Sequence, residues 1–360
     1  MKKILDYYII KKFLLIFSLT IFSFITISTL VNIIDHLDKF IDRNLSSEEI
    51  LSYYILTLPH IISITLPMSL LVSTIFTFGQ LQKNNELTAI KASGVSIHRT
   101  SLPLLLIGLL FCIFSFYFDN TILVSSLNKR YEIDKKLKPY KKKFSKNRKS
   151  DIYYHLNNEF LEIRNFNYTN NTGYKTSIQK YNNNDLIKRI DSKSMQWNKI
   201  EQKWNLKNSI VRTWKDGKMY FYNIQDTSIS INGISPAIIK KDYVKPEEMD
   251  YWELSNFVET LREKGQNYSK WLVNKHYKTA FACIPFIMIL FGIGLSIKKP
   301  RSGYALGMGL GLSVIFLYYV LIKFGQSLGY NNVISPFASV WFVNFIFLFL
   351  GGILFIRART

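Results

Sequence analysis

The amino-acid sequence predicts an α-helical membrane protein with six transmembrane helices, three before and three after an inserted all-β domain. Two observations predict this fold class. Apolar residues are concentrated in uncharged blocks of 19 to 33 residues instead of being spread in periodic patterns. One long polar segment, residues 119–278, separates the third block from the fourth.

The uncharged blocks predict the six membrane spans. A hydrocarbon core of about 30 Å is crossed by about 20 helical residues. Because backbone groups in lipid must be hydrogen-bonded within the segment, these blocks cannot be open strands or loops. The blocks cover residues 13–34, 50–82, 100–118, 279–297, 302–322 and 324–356.

The short loops predict the orientation, because cytoplasmic loops of membrane proteins are enriched in lysine and arginine. One set of short loops and termini carries 12 basic residues, and the opposite set carries three: Lys39, Arg43 and, at a span end, Lys323. This asymmetry predicts that both termini and the loop KNNELTAIKASG are cytoplasmic. The segment between the third and fourth spans is then external.

The external segment predicts a β domain followed by a short helical connector. Six stretches rich in Ile, Tyr, Trp, Thr and Val alternate with turn-like NNTG, YNNND and KDG, which is typical of a sandwich or roll. They are DIYYHL, EFLEIRNF, KTSIQKYN, LIKRIDSKSMQW, KWNLKNSIVRTW and GKMYFYNIQDTSISI. The predicted domains are residues 1–122 (first three spans), 123–250 (β domain), 251–271 (helical connector) and 272–360 (last three spans).

The external segment is strongly basic, with 31 Lys and Arg against 18 Asp and Glu in residues 119–278, a net charge of +13. Eleven of these basic residues lie in residues 128–150. Such a run is compatible with a solvated face, and the sharper interpretation is contact with anionic lipid head groups of the outer leaflet. Nucleic acid is not expected to be the ligand, because the run faces away from the cytoplasm.

The loop between the second and third spans predicts a short amphipathic helix at about residues 84–94. Asn84 and Asn85 are good N-cap residues, Glu86 suits the positive end of the helix dipole, and Gly94 is a natural C-cap. Leu87, Ile90, Gly94 and Ile97 fall on one face at spacings of three and four. The residues alone leave two interpretations open: a helix resting on lipid head groups, or a coupling helix that transmits the movement of a soluble partner to two spans.

The same region resembles the lipopolysaccharide-export permeases of the LptF/LptG family. In LPMSLLVSTIFTFGQLQKNNELTAIKASGVS, the shared features are a proline-led apolar span, a Gly-x-Leu exit, an Asn-Glu helix start and an Ala-Ser-Gly end. These features are Pro67, Gly79 with Leu81, Asn85 with Glu86, and Ala92-Ser93-Gly94. The arrangement of three spans, an external β domain and three spans is also similar across the whole chain. KILDYYIIKKFL and FIDRNLS resemble the LptG half more than the LptF half.

The resemblance implies a transport mechanism and its partners. Two such permeases pair in the inner membrane of a Gram-negative cell above a cytoplasmic ATPase dimer. Lipopolysaccharide enters from the outer leaflet and is passed through β-jellyroll domains to a periplasmic bridge protein and a membrane-anchored periplasmic adaptor. The family's coupling-helix carboxylate, which engages the ATPase, matches Glu86. The remaining predicted contacts are Asn85, Leu87, Ile90, Ala92 and Gly94.

No cofactor is expected in this chain, because it contains no Gly-x4-Gly-Lys-Ser/Thr phosphate loop. ATP and Mg²⁺ are therefore assigned to the partner ATPase. No catalytic constellation and no metal-ligand pattern is present, so we expect a non-catalytic subunit.

Five basic residues are candidates for binding the phosphates of lipid A near the outer mouth of a cavity. They are Lys39, Arg43, Lys275, Lys278 and Lys323. Snorkelling of each side chain to head groups is the alternative. Lys323 is the strongest single candidate, because it interrupts an otherwise apolar run.

The fifth block contains glycines four residues apart, Gly303, Gly307 and Gly311. Small residues at this spacing allow helices to approach closely. Both generic packing and a gate facing a partner permease are compatible with the pattern.

Two other function classes compete with a transport subunit. A membrane-embedded lipid enzyme needs convergent His, Asp or Glu residues, for which Asp35, His36 and Asp38 are the candidates. A non-transporting membrane adaptor with an external binding domain is the second. The LptF-type half of the same transporter is a further alternative.

Overall fold

The computed structural model describes residues 2–42, 45–137, 148–156, 159–182, 185–215, 218–231, 234–236, 239, 245–263, 267–297 and 304–357. The chain divides into two compact units, a helical unit and a sheet unit. The helical unit comprises Met1–Asp134, Glu247–Leu254 and Ser269–Thr360, and the sheet unit comprises Lys135–Pro246 and Ser255–Tyr268.

Ten α-helices are found in the described residues. They are α1 (Lys2–Asp42), α2 (Ser47–Lys83), α3 (Glu86–Ala92), α4 (Ile97–Phe118), α5 (Val124–Leu137), α6 (Tyr251–Glu263), α7 (Ser269–Ala282), α8 (Ile284–Ile297), α9 (Tyr304–Tyr330) and α10 (Ala338–Ile356). A π-helical turn, Asp119–Leu123, joins α4 to α5, and a 3-10 turn, Pro246–Glu248, precedes α6.

The helices supply five or six membrane spans, which agrees with the six predicted. α1, α2, the continuous segment Ile97–Tyr131, α9 and α10 are each long and apolar enough to cross a bilayer. The sixth span is the pair α7 and α8, which is bent by 43° at a short break. Its apolar part begins within α7, as the sequence indicated, but the helix itself starts ten residues earlier, at Ser269.

The boundary between the fifth and sixth spans differs from the prediction. The sequence placed the end of the fifth span before Lys323, but α9 continues to Tyr330 and α10 begins only at Ala338. A single lysine does not end a helix when its ammonium has partners, and the Lys323 Nζ donates to Gln326 Oε1 at 3.0 Å. The turn occurs instead at residues 331–337, where Asn332 has a positive φ of 57°.

The second helix forms the centre of the helical unit. In its most apolar window 78% of the residues are buried within the protein, compared with none in the corresponding window of α1. Leu70 and Phe78 of α2 are fully buried in a cluster with Ile9 and Phe13 of α1 and Ile293 of α8. α1 therefore lies at the periphery of the unit, packed along α2, with most of its apolar face uncovered.

The sheet unit is built on a six-stranded antiparallel sheet in which every strand pairs with its sequence neighbours, in the order β1 to β6. All six predicted strand stretches are confirmed. The strands are β1 (Arg148–Leu156), β2 (Glu159–Asn167), β3 (Thr172–Asn182), β4 (Asp185–Asn198), β5 (Lys203–Lys215) and β6 (Lys218–Ile229). The inserted all-β domain is thus confirmed, with the strand order of a meander.

One face of this sheet forms its core because strand side chains alternate between the two faces. Leu161, Ile178, Ile190 and Val211 follow one another across four strands as directly paired residues. All four are buried in one cluster with Trp204. The Trp204 indole donates to the Ile234 carbonyl at 2.8 Å, so its buried N–H is paired.

Candidate functional site

The predicted short helix between the second and third spans is present as α3. Asn85 occupies the N-cap position in the left-handed region, with φ 59°, and makes no side-chain capping bond. Gly94 follows the helix with φ +81°. That conformation suits glycine, which has no Cβ, and ends the helix as expected. Leu87 is 3% exposed and belongs to the same buried cluster as Ile9 and Phe13 of α1.

The other side of α3 is open. Ala89, Ala92, Ser93 and Gly94 are exposed, and Ile90 is partly buried. The predicted amphipathic face therefore holds for Leu87 and for Ile97, which is fully buried, but not for Gly94. The exposed side carries only small residues, so it offers a shallow surface beside the polar residues at the start of the helix.

The carboxylate of Glu86 is held within the chain. It accepts hydrogen bonds from the Tyr8 hydroxyl at 2.7 Å, the Lys12 ammonium at 3.2 Å and the Asn84 amide at 3.0 Å. Burial favours the neutral acid, but these three hydrogen bonds outweigh it and lower the pKa of Glu86. Glu86 is therefore ionised at neutral pH and bound to α1.

A second ion pair links α1 to the start of α4. The Arg99 guanidinium donates to both carboxylate oxygens of Asp6, at 2.8 and 2.7 Å. This fork geometry is the strongest arrangement for an arginine–carboxylate pair. The first turns of α1 are therefore tied to the chain on both sides of α3.

Sequence reasoning missed Asp6, Tyr8, Lys12 and Arg99 as parts of this site. The only signal was that Asp6 is the sole carboxylate in residues 1–34. Nothing in the linear order indicated that these residues meet partners 74 to 93 positions away.

Three of the five predicted phosphate-binding cations lie on helices α7 and α9. Lys323 of α9 lies 4.9 Å from the ring centroid of Tyr277 on α7. Lys275 on α7 lies 5.7 Å from the ring centroid of Tyr251. Lys278 lies one turn further along α7 and interacts electrostatically with Asp119. The structure therefore brings these three lysines to one pair of packed helices.

The other two predicted cations are not placed with them. Lys39 of α1 donates to the backbone carbonyl of Asp35 on its own helix, at 3.2 Å. Arg43 lies outside the described residues.

A buried carboxylate at the π-helical turn was also missed. Asp119 was predicted to begin the external segment, but it lies inside the helical unit and is 8% exposed. Its neighbour Asn120 accepts the backbone N–H of Tyr251 at 2.9 Å. A π turn often marks a functional position in a helix, because the extra residue redirects the side chains.

The glycines of the fifth span face the second span of the same chain. A Cβ at Gly311 would lie 2.6 Å from Ile75 Cδ1, and one at Gly307 would lie 3.3 Å from Ile75 Cγ2. Both positions thus allow α9 to approach α2 closely. Gly303 lies outside the described residues.

A buried polar network sits at the break between α7 and α8. The Asn344 amide of α10 donates to the Ala280 carbonyl at 2.8 Å, and the Tyr318 hydroxyl of α9 donates to Asn344 Oδ1. The Cys283 N–H bonds to the same Ala280 carbonyl three residues back, and Pro285 has no N–H to donate. Asn344 therefore supplies a partner for a carbonyl at the bend.

The cluster proposed for a lipid enzyme does not converge. His36 Nδ1 is bonded to the backbone oxygen of Asn32 on its own helix, and its ring contacts Phe40 and Tyr53. Asp35 and Asp38 are exposed on α1. Within the described ranges, no group of three His, Cys, Asp or Glu side chains is arranged to hold a metal ion.

These features define a class: a multi-pass helical membrane protein with a β domain inserted between its third and fourth spans. Comparison with known families makes this class specific. Residues 7–357, nearly the whole chain, match the family model of the lipopolysaccharide export system permease LptF/LptG. The chain therefore belongs to the LptF/LptG family of lipopolysaccharide export permeases of the inner membrane. A search of curated proteins found no match.

Proposed function

We propose that this chain is the LptG-type permease subunit of an ABC transporter that extracts lipopolysaccharide from the outer leaflet of the inner membrane. A separate cytoplasmic ATPase dimer drives the extraction, and the lipid passes to a periplasmic bridge protein. The other partners are a second permease of the same family and a membrane-anchored periplasmic adaptor. Both termini are cytoplasmic and the sheet unit is periplasmic, in line with the 12 to three asymmetry of basic residues in the short loops.

The observation that carries this proposal is the geometry of α3. It is a seven-residue helix joined to α2 through residues 84–85 and to α4 through residues 93–96, with one side buried against α1 and the other side open. A rod of this kind cannot shift without moving two spans. We assign Asn85, Glu86, Leu87, Ile90, Ala92 and Gly94 to the ATPase-coupling segment, with ATP and Mg²⁺ bound by the partner.

The lysines on α7 and α9 are the proposed contacts for lipid A phosphates. The Lys323 ammonium donates to the Gln326 amide and lies over the Tyr277 ring, and it also interacts electrostatically with the Glu247 carboxylate. Lys275 and Lys278 lie on the helix that carries that ring. Lys39 and Arg43 are proposed for the same role.

Co-purification of the tagged full-length chain tests the proposal. We expect the wild type to retain a soluble ATPase and a second permease in detergent. Ala92→Trp, on the open side of α3, is expected to lose the ATPase but keep the second permease. Ile200→Trp is the matched control, because Ile200 is 95% exposed in the β4–β5 turn.

A wild-type chain that retains no ATPase would contradict the transporter assignment and favour the adaptor. A second pair of variants tests the cargo contact. Lys323→Gln is expected to reduce lipopolysaccharide release from proteoliposomes, whereas Lys199→Gln in the sheet unit is expected to leave release unchanged. Equal release from both variants would contradict the role of Lys323.

A further inference from the structure

The cytoplasmic end of α1 is attached to the coupling segment at two points. Tyr8 and Lys12 lie one turn apart on the same face of α1 and both bind the Glu86 carboxylate at the start of α3. Asp6, less than one turn earlier, binds Arg99 in the first turn of α4 through two hydrogen bonds. The two attachments lie on either side of α3.

Both attachments are partly shielded from solvent. The Lys12 and Glu86 side chains are 17% and 27% exposed, and those of Arg99 and Asp6 are 33% and 27% exposed. Ion pairs at fully exposed positions contribute little, whereas shielded pairs with several hydrogen bonds are stronger. Below them, Leu87 of α3 belongs to the same buried cluster as Ile9 and Phe13 of α1. Polar and apolar contacts thus join the same two elements.

The middle of α1 is more exposed than its two ends, because Phe40 near the other end is 3% exposed and contacts Tyr53 and Tyr54 of α2. No residue of its most apolar window is buried within the chain, whereas the central helix α2 is largely buried. A helix that is fixed at its cytoplasmic end and open along its membrane part follows a displacement of that end more readily than a helix packed on all sides.

We propose that Asp6, Tyr8, Lys12 and Arg99 are positioning residues that make α1 move together with the coupling helix. In this arrangement the Glu86 carboxylate joins α1 to the segment that engages the ATPase. The inference rests on the proposed transport function. It assigns to α1 the first response of the membrane domain to ATP hydrolysis.

Charge exchange in the assembled transporter tests this inference. The variants are Asp6→Arg, Arg99→Asp, the double exchange Asp6→Arg/Arg99→Asp and Lys12→Glu, with Lys11→Glu as the control for Lys12→Glu. Lys11 is the neighbouring exposed lysine, so its substitution changes the net charge equally without touching Glu86. The measurements are ATPase retention, ATP hydrolysis and lipopolysaccharide released per ATP in proteoliposomes.

Asp6→Arg, Arg99→Asp and Lys12→Glu are each expected to lower release per ATP about tenfold while the ATPase stays bound and active, because like charges replace a shielded ion pair. The double exchange is expected to restore release to within about threefold of the wild type, since the ion pair is re-formed in the opposite sense. Lys11→Glu is expected to behave as the wild type.

Two results would overturn the inference without affecting the proposed function. The first is normal release by Lys12→Glu. The second is a loss of release in Asp6→Arg and Arg99→Asp that the double exchange does not repair. Absence of an ATPase from the wild-type preparation would instead contradict the transport assignment itself. Restored release per ATP in the double exchange would show that the single exchanges did not act simply by unfolding the protein.

Discussion

The buried network at the bend of the fourth span gives a prediction with a defined sign. Tyr318 and Asn344 are 0% and 3% exposed, and Asn344 also binds the Ala280 carbonyl. Tyr318→Phe removes one hydrogen bond and leaves the buried Asn344 Oδ1 without the hydroxyl donor. The cost of such a loss is about 1–3 kcal/mol in protein cores and about 0.6–1.7 kcal/mol between membrane helices, so we expect about 1–2 kcal/mol.

Asn344→Leu removes both hydrogen bonds at similar side-chain volume. It leaves the Tyr318 hydroxyl without a partner, whereas the Ala280 carbonyl keeps the Cys283 N–H, so the expected cost is about 1–3 kcal/mol. The double variant Tyr318→Phe/Asn344→Leu removes the stranded hydroxyl as well. It should therefore be no less stable than Asn344→Leu alone, with a coupling energy of about 1–2 kcal/mol.

The assay is equilibrium unfolding of the full chain in mixed micelles, with the four members of the cycle measured together. Tyr117→Phe is the matched control, since Tyr117 is 57% exposed. If the cost of the double variant equals the sum of the two single costs to within about 0.5 kcal/mol, the pairing of these two side chains across α9 and α10 is refuted. An effect of Tyr117→Phe as large as that of Tyr318→Phe would show that burial is not the cause.

Two further predictions follow from local geometry. The pKa of Glu86 is lowered in the folded protein, so at pH values above the usual carboxyl pKa of 4.5 its ionised form stabilises the α1–α3 contact. This contribution is lost as the pH falls through the lower pKa of the folded state. The protection factors of the amides of residues 84–94, which remove the intrinsic pH dependence of exchange, should therefore fall as the pH drops below the usual carboxyl value of 4.5 and stay constant from pH 6 to 8; a loss of protection between pH 6 and 8 would contradict the sign. A Cβ at Gly325 would overlap the Ser339 carbonyl oxygen, so Gly325→Ala should destabilise the protein by several kcal/mol. A Cβ at Gly309 would meet no atom within 4 Å, so Gly309→Ala should be neutral or stabilising by up to about 1 kcal/mol. Unfolding midpoints of the two variants in the same detergent give the comparison, and equal midpoints would contradict the close approach of α9 and α10.

The sequence by itself determined the membrane helices, the inserted sheet and the short helix α3. Long uncharged blocks have few alternatives to helices in lipid, and strand stretches between turn residues pair with their neighbours. The exact span ends were less determined: residues 324–330 continue α9, because the Lys323 ammonium is accommodated by Gln326 and Tyr277 within the helix. Hydropathy registers the charge of a lysine but not its partners.

Only the tertiary structure decided which polar residues act together. Glu86 could be selected from its helix start, but Tyr8 and Lys12 are 78 and 74 residues away along the chain and meet it because α1 lies beside α3. Similarly, Asn344 stands in an apolar block with no sign that it binds a carbonyl at a helix break. Local propensity and hydropathy act over a few turns, whereas these contacts depend on which helices become neighbours when the apolar faces pack.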